Sequence, residues 1–119
     1  MDRRILVTGA ARSTGRRLVS ALAEEPEVAA VVAVDDRKPP EPLPAKVQFV
    51  GVDLRSPALV RAVQSTGIDT CVHLGATAEP LAAGGRPTMK ERNVLGTMQL
   101  LAAAYHAPDL RRLVLKSTT

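Results

Sequence analysis

Along the chain, short aliphatic runs alternate with segments in which apolar side chains recur every three to four residues. Residues 4–8, Arg-Ile-Leu-Val-Thr, are β-branched and aliphatic and are closed by Gly9, which predicts a buried strand. Residues 15–25 set Leu18, Val19, Leu22 and Ala23 on one helical face, and Pro26 stops that helix. Residues 28–34 are almost entirely Val and Ala and predict a second buried strand. Prolines at 39, 40, 42 and 44 remove backbone donors and mark residues 36–44 as an exposed loop. A third strand is expected over 46–52. Ser56 then caps a helix with Pro57 in its first turn, Leu59, Val60 and Val63 facing inward and Gly67 ending it. Residues 70–74 predict a fourth strand and 75–87 a loop of small residues. A long helix opens at Thr88, carries Val94, Met98, Leu100 and Leu101, and ends before Pro108; residues 110–116 predict a fifth strand.

Strands joined through crossover helices run parallel, and right-handed crossovers wind such a sheet in two directions from its centre. The expectation is one α/β domain over 1–119: a doubly wound, five-stranded parallel sheet, order 3-2-1-4-5, with helices on both faces. The composition agrees, since 45% of residues are hydrophobic while Phe49 and Tyr105 are the only Phe, Tyr or Trp, so the core must be aliphatic. The net charge of +4 comes from arginines and lysines spread along the chain, in pairs such as Arg3-Arg4, Arg16-Arg17 and Arg111-Arg112. Without a stacking platform or a DNA-reading motif, that charge argues for solubility and attraction of an anionic ligand, not for nucleic acid. Cys71 is the only cysteine and lies in an apolar run, where a thiol behaves as a small hydrophobe. No Cys/His cluster has metal-ligand spacing, so no metal is expected. No signal-like or membrane-length apolar run occurs, which makes a cytoplasmic location the default and no membrane partner the expectation.

The chemistry concentrates where the first strand meets the first helix, at Thr8-Gly9-Ala10-Ala11-Arg12-Ser13-Thr14-Gly15. A tight turn delivering a helix N-terminus offers backbone N–H groups and a positive dipole end to a pyrophosphate. Gly9 allows the turn, and Gly15 allows the helix to pack closely on the strand. Asp35, twenty residues after Gly15 at the end of the second strand, can accept both hydroxyls of an adenosine ribose and repel a 2′-phosphate. Asp36 and Arg37 follow it, and Arg37 leaves a route to NADP, although Asp35 favours NAD. A bare turn and a solvated acid would explain either feature alone. Asp53 reads equally as a cap of the turn before Ser56, His73 as a satisfied structural histidine, and His106 as a complement to a helix dipole.

These residues resemble the N-terminal part of the extended short-chain dehydrogenase/reductases, the NAD-dependent epimerase/dehydratase group with its Rossmann-type fold. The resemblance covers nearly the whole chain. It implies cofactor contacts from Gly9, Ala11, Arg12, Ser13, Thr14 and Gly15, from Asp35, Asp36 and Arg37, and from Asp53 and Leu54 beside the adenine. His73-Leu74-Gly75-Ala76 is similar to the segment whose backbone passes the cofactor, so Leu74, Gly75 and Ala76 join the set. Asn93-Val94-Leu95-Gly96-Thr97 resembles the helix motif that contributes Asn93, and Val114-Leu115-Lys116-Ser117-Thr118 the strand that delivers a catalytic hydroxyl, here Thr118.

Two departures qualify the resemblance. Arg12 replaces the middle glycine, so its guanidinium either turns outward and binds phosphate or fills the site. The family's Tyr-x-x-x-Lys pair is absent: Tyr105 is followed four residues on by Asp109. The implied function is the NAD-binding domain of an epimerase- or dehydratase-type oxidoreductase acting on a sugar nucleotide or similar substrate, catalytically incomplete without further chain. The alternative is a non-catalytic nucleotide-binding or protein-interaction module. With the fifth strand at an edge, apolar surface and unpaired backbone are expected to drive homo-oligomerisation or association.

Overall fold

A computed structural model describes residues 2–39, 42–74 and 86–115, with 86–93 described by their backbone. Five strands and three helices follow in the order β1 (Arg3–Thr8), α1 (Ser13–Ala23), β2 (Val28–Asp35), β3 (Val47–Gly51), α2 (Pro57–Ser65), β4 (Thr70–His73), α3 (Arg86–Tyr105) and β5 (Arg112–Leu115). All four strand pairings are parallel and the spatial order is β3-β2-β1-β4-β5, as the alternation of patterns predicts.

Alternate residues of the central strands feed two cores, because successive side chains point to opposite faces. Ile5 and Val7 of β1 and Val31 and Ala33 of β2 pack with Val19, Leu18 and Leu22 of α1. Leu6, Val32, Val34 and Cys71 pack on the other face with Leu59 and Val63 of α2 and Leu100 and Ala103 of α3. Each fully buried Leu or Val contributes about 1.5–3 kcal/mol relative to exposure. Burial pushes the Cys71 thiol up to about 12, so it remains a neutral core group. Ser56 caps α2 as expected, its hydroxyl accepting the Ala58 N–H at 3.2 Å, and Gly67 leaves the helix at φ +64°.

Four expectations need correction. Helix α1 starts at Ser13, two residues before Gly15, and α3 starts at Arg86, two before Thr88. The earlier start of α3 holds Pro87 in its first turn, where an N–H would have no intrahelical acceptor. The buried face of α3 also differs. Leu100 is buried, but Val94, Met98 and Leu101 are 47%, 61% and 43% exposed. The inward line runs through Gly96, Leu100 and Ala103, spaced four and three residues apart. A Cβ on Gly96 would lie 2.9 Å from the Leu54 Cβ, so the helix needs a bare position to seat against the β3–α2 turn. Finally, β5 begins at Arg112, two residues later than expected, and its Val114 and Leu115 are half exposed at the sheet edge.

Candidate functional site

The order reverses between β1 and β4, and the C-terminal ends of β2, β1 and β4 lie side by side there, the place where open parallel sheets bind ligands. The β1–α1 turn is set by two glycines with different duties. Gly9 adopts φ +70°, a left-handed conformation that side chains disfavour. Gly15 is buried against the turn itself: a Cβ there would lie 2.1 Å from the Gly9 carbonyl oxygen. Arg12 is the N-cap residue of α1 with φ −86° and ψ 162°, an extended conformation open to any residue. An arginine in place of the middle glycine therefore imposes no backbone strain. Its side chain does not cap the helix and has no hydrogen-bond partner among the described residues.

The backbone donors of this turn divide into two groups. Ala10 N–H donates to the Val34 carbonyl (3.2 Å), Ala11 N–H to Asp35 Oδ2 (3.0 Å) and Arg12 N–H to the Gly9 carbonyl (3.2 Å). The amides of Ser13, Thr14 and Gly15 follow in the first helical turn, where no intrahelical acceptor exists. Arg16 N–H makes the first helical bond, to the Arg12 carbonyl at 2.8 Å. The N-terminus of α1 thus presents its orphan donors and its dipole outward, with Ser13 and Thr14 exposed.

Asp35 closes the other side. It is only 5% exposed, and Oδ1 accepts the Arg37 N–H at 3.2 Å while Oδ2 holds the Ala11 peptide. Burial raises its carboxyl above the ordinary range, a side-chain hydrogen bond with Asp36 adds to that, and the two backbone donors pull the other way. The Asp35 carbonyl accepts the Val52 N–H at 3.0 Å, fixing the exit of β3 beside it. The β1–α1 turn and the acid at the end of β2, distant in sequence, are joined by the hydrogen bond from Ala11 N–H to Asp35.

Asp53 and Leu54 lie in the next turn. The Asp53 carboxylate accepts the Arg55 N–H (2.8 Å) and is paired with the Arg55 guanidinium, Oδ1 to Nε at 3.1 Å and Oδ2 to Nη2 at 3.0 Å. Its carbonyl accepts Ser56 N–H at 2.9 Å, so the turn-organising reading of Asp53 has a physical basis. Gln99 of α3 donates to the Arg55 carbonyl at 3.1 Å, tying the same turn to the helix.

At the end of β4, His73 is a buried structural group. Its Nδ1 lies 2.7 Å from the Thr8 hydroxyl and its Nε2 3.2 Å from the Thr97 hydroxyl. Thr8 Oγ1 also accepts the Leu74 N–H at 3.0 Å, so one hydroxyl stitches β1 to the exit of β4. Burial lowers the His73 pKa, favouring the neutral ring that such a relay requires. Thr8 and Thr97 were missed as partners from sequence; the signal available was a hydroxyl residue directly before the turn glycine. Of the remaining expected contacts, Gly75, Ala76 and Thr118 lie outside the described residues, and Asn93 is described only as helical backbone.

A separate cleft of about 590 Å³, lined by Asp2, Arg3, Asp69, Thr70, Arg111 and Arg112, sits at the opposite, N-terminal end of the strands. Its centrepiece is structural: the Asp69 carboxylate accepts the Arg4 N–H and the Thr70 hydroxyl, and its carbonyl accepts the N–H groups of Arg111 and Arg112. Among the described residues no His, Cys, Asp and Glu cluster could hold a metal ion, and no helix is long and apolar enough to cross a membrane.

Comparison with known proteins agrees with this geometry. The model of the NAD dependent epimerase/dehydratase family matches residues 5–119. An uncharacterized protein of Mycobacterium tuberculosis is 40% identical over 118 residues, which are 97% of this chain and 31% of that protein. The chain therefore spans about a third of the length of the curated relatives it matches. Among solved structures, a short-chain dehydrogenase/reductase superfamily protein from Agrobacterium tumefaciens with bound NAD is 34% identical at TM-score 0.72, over 95% of this chain and 32% of that one. A UDP-glucuronic acid 4-epimerase variant from Bacillus cereus, in complex with a fluorinated UDP-sugar and NAD, is 29% identical at TM-score 0.78, over 97% and 40%. The enzyme WbmF of Bordetella bronchiseptica in complex with NAD+ is 25% identical at TM-score 0.79, over 96% and 36%.

Proposed function

The chain belongs to the NAD dependent epimerase/dehydratase family, and on that premise we propose that it is the NAD-binding portion of an oxidoreductase of epimerase or dehydratase type. The observation that carries this reading is the contact between Asp35 and Ala11, which sets a buried carboxylate beside the orphan donors of α1. The residues present fit a dinucleotide: Gly15 admits no side chain, α1 has no side-chain cap over its first turn, and Asp35 lies at the strand end next to both. The NAD-bound relatives support the same assignment.

In this reading the N–H groups of Ser13, Thr14 and Gly15 take the pyrophosphate, assisted by the dipole of α1. The Arg12 guanidinium, which does not cap α1, adds a charge-assisted contact to a phosphate oxygen. Asp35 accepts the ribose hydroxyls, and its carboxylate disfavours a 2′-phosphate, so NAD is preferred over NADP despite Arg37. Asp36, Arg37, Asp53 and Leu54 contribute on the adenosine side, and the resemblance adds Leu74, Gly75, Ala76 and Asn93 as further cofactor contacts. Bound NAD supplies a hydride acceptor for a substrate carbon. Thr118 holds the oxygen at that carbon, and proton transfer needs a Tyr-x-x-x-Lys pair that these 119 residues do not contain.

The apolar surface of α3 and β5 supports an accompanying proposal. Leu95, Met98, Leu101, Tyr105, Val114 and Leu115 are each more than 40% exposed. A surface of this kind serves association, either with further parts of a longer protein or with a second copy along the β5 edge.

Calorimetric titration with NAD, NADP and ADP-ribose tests the cofactor assignment. NAD and ADP-ribose are expected to bind and NADP to bind more weakly, and Asp35→Ala is expected to weaken NAD more than NADP. Absence of heat with all three ligands overturns the reading.

A further inference from the structure

Asp35 does more in this fold than wait for a ribose. Three consecutive donors of the phosphate turn have protein acceptors, and two of those acceptors, the Val34 and Gly9 carbonyls, are backbone groups that any sequence would supply. The third, for Ala11 at the crest of the turn, is a side chain: Asp35 Oδ2 at 3.0 Å. The other oxygen of the same carboxylate holds Arg37 N–H at 3.2 Å, on the turn that leaves β2. A single buried group thus spans the β1–α1 turn and the turn that leaves β2.

We propose that Asp35 is a positioning residue for the phosphate turn as well as the acid that meets the ribose, so that the sugar and diphosphate of one ligand are recognised cooperatively through its carboxylate. The inference rests on the proposed cofactor reading and adds to it a role that is independent of the ribose hydroxyls. The Ala11 peptide lies one residue before the N-cap of α1, and the Gly9 and Gly15 contacts leave the helix little room to move. Releasing Ala11 frees the turn to rotate its peptide and misaligns the donors of Ser13–Gly15. A carboxylate with two oxygens and several lone pairs retains acceptor capacity for hydroxyls while both backbone bonds stay in place.

The consequence separates this role from simple ribose binding. If Asp35 acted only on hydroxyls, its removal would leave a nucleotide without hydroxyls unaffected. The test is a binding cycle on the whole chain with ADP and 2′,3′-dideoxy-ADP, using the native chain, Asp35→Ala and Asp35→Asn. The native chain is expected to bind both, with ADP the tighter. Asp35→Ala is expected to weaken dideoxy-ADP roughly 10-fold, the scale of one lost hydrogen bond to a charged acceptor, and ADP by more. Unchanged dideoxy-ADP affinity in Asp35→Ala overturns the proposal while leaving the ribose role standing. Failure of the native chain to bind ADP overturns the cofactor reading instead.

Backbone amide exchange without ligand gives a second, independent readout. Slow exchange is expected at Ala11 and Arg37 in the native chain. In Asp35→Asn one acceptor oxygen becomes an NH2 donor, and one of the two amides is expected to lose its protection. Equal protection of both amides in the native chain and Asp35→Asn contradicts the proposal even if Asp35→Ala does not fold.

Discussion

The two halves of this sheet are built to different standards. In the half made by β1, β2 and β3, Leu6, Val7, Val31, Ala33 and Val34 are completely buried, with α1 covering one face and α2 the other. In the half made by β4, α3 and β5, the buried side chains described are those of Cys71, His73, Leu100 and Ala103, while Val94, Leu95, Met98, Leu101, Tyr105, Val114 and Leu115 are exposed. The large exposed apolar residues described all belong to this second half. The β1–α1 turn and Asp35, the proposed nucleotide site, rest on the finished half, where backbone donors are held by buried strands. The other half offers surface in place of a closed core.

Substitutions can break that contrast. The largest effect is expected from Leu6→Ala, which opens a cavity where both sheet and helices have closed and costs about 3 kcal/mol in urea unfolding. Gly15→Ala is next. A methyl 2.1 Å from the Gly9 carbonyl must push α1 away, with a loss of about 2 kcal/mol. The same displacement is expected to abolish nucleotide binding by calorimetry, and retention of native affinity would break the link between close packing and the site.

A pH titration of stability sharpens the comparison at the seam between the halves. His73 sits there with its pKa lowered by burial, so it contributes stability present above its unfolded value of 6.5 and lost as pH falls through the lower folded value. Asp35, raised by burial, works in the opposite sense: its contribution is present below 3.8 and lost as pH rises through its folded value. The melting temperature is therefore expected to fall as pH drops below 6.5, and His73→Asn to flatten that slope. The smallest effect on folding is expected from Met98→Lys on the exposed face of α3, within about 0.5 kcal/mol. Its signature is in association: sedimentation velocity should show less self-association than the native chain. A large loss of stability in Met98→Lys would mean that the second half is better packed than its exposure indicates.

Much of the finished half was legible in the sequence because β1 and β2 are runs rich in Val, Ala, Leu and Ile that are buried over most of their length, a pattern that needs no long-range information. The strand order followed from crossovers, and the turn glycines and Asp35 stood at an interval the motif itself defines. Legibility failed where small residues do the packing. In α3 the large apolar residues are Val94, Met98, Leu100 and Leu101, of which Leu100 alone is buried; the contact is completed by Gly96 and Ala103, because Leu54 approaches Gly96 too closely for a side chain. The pairing of Asp53 with Arg55 and the Thr8–His73–Thr97 relay were likewise hidden. Local spacing lists possible donors and acceptors but does not say which of them the fold brings within 3 Å. The Ala11–Asp35 bond belongs to the same class: its two ends were each identified, and their contact required the sheet.

The central claim is that the first turn of α1 holds the diphosphate of a nucleotide, and backbone amide resonances report on it directly. On titration with NAD, the amides of Ser13, Thr14 and Gly15 are expected to shift most, with Ala11 and Arg37 following. Saturation with NAD that leaves Ser13, Thr14 and Gly15 unmoved would contradict the account.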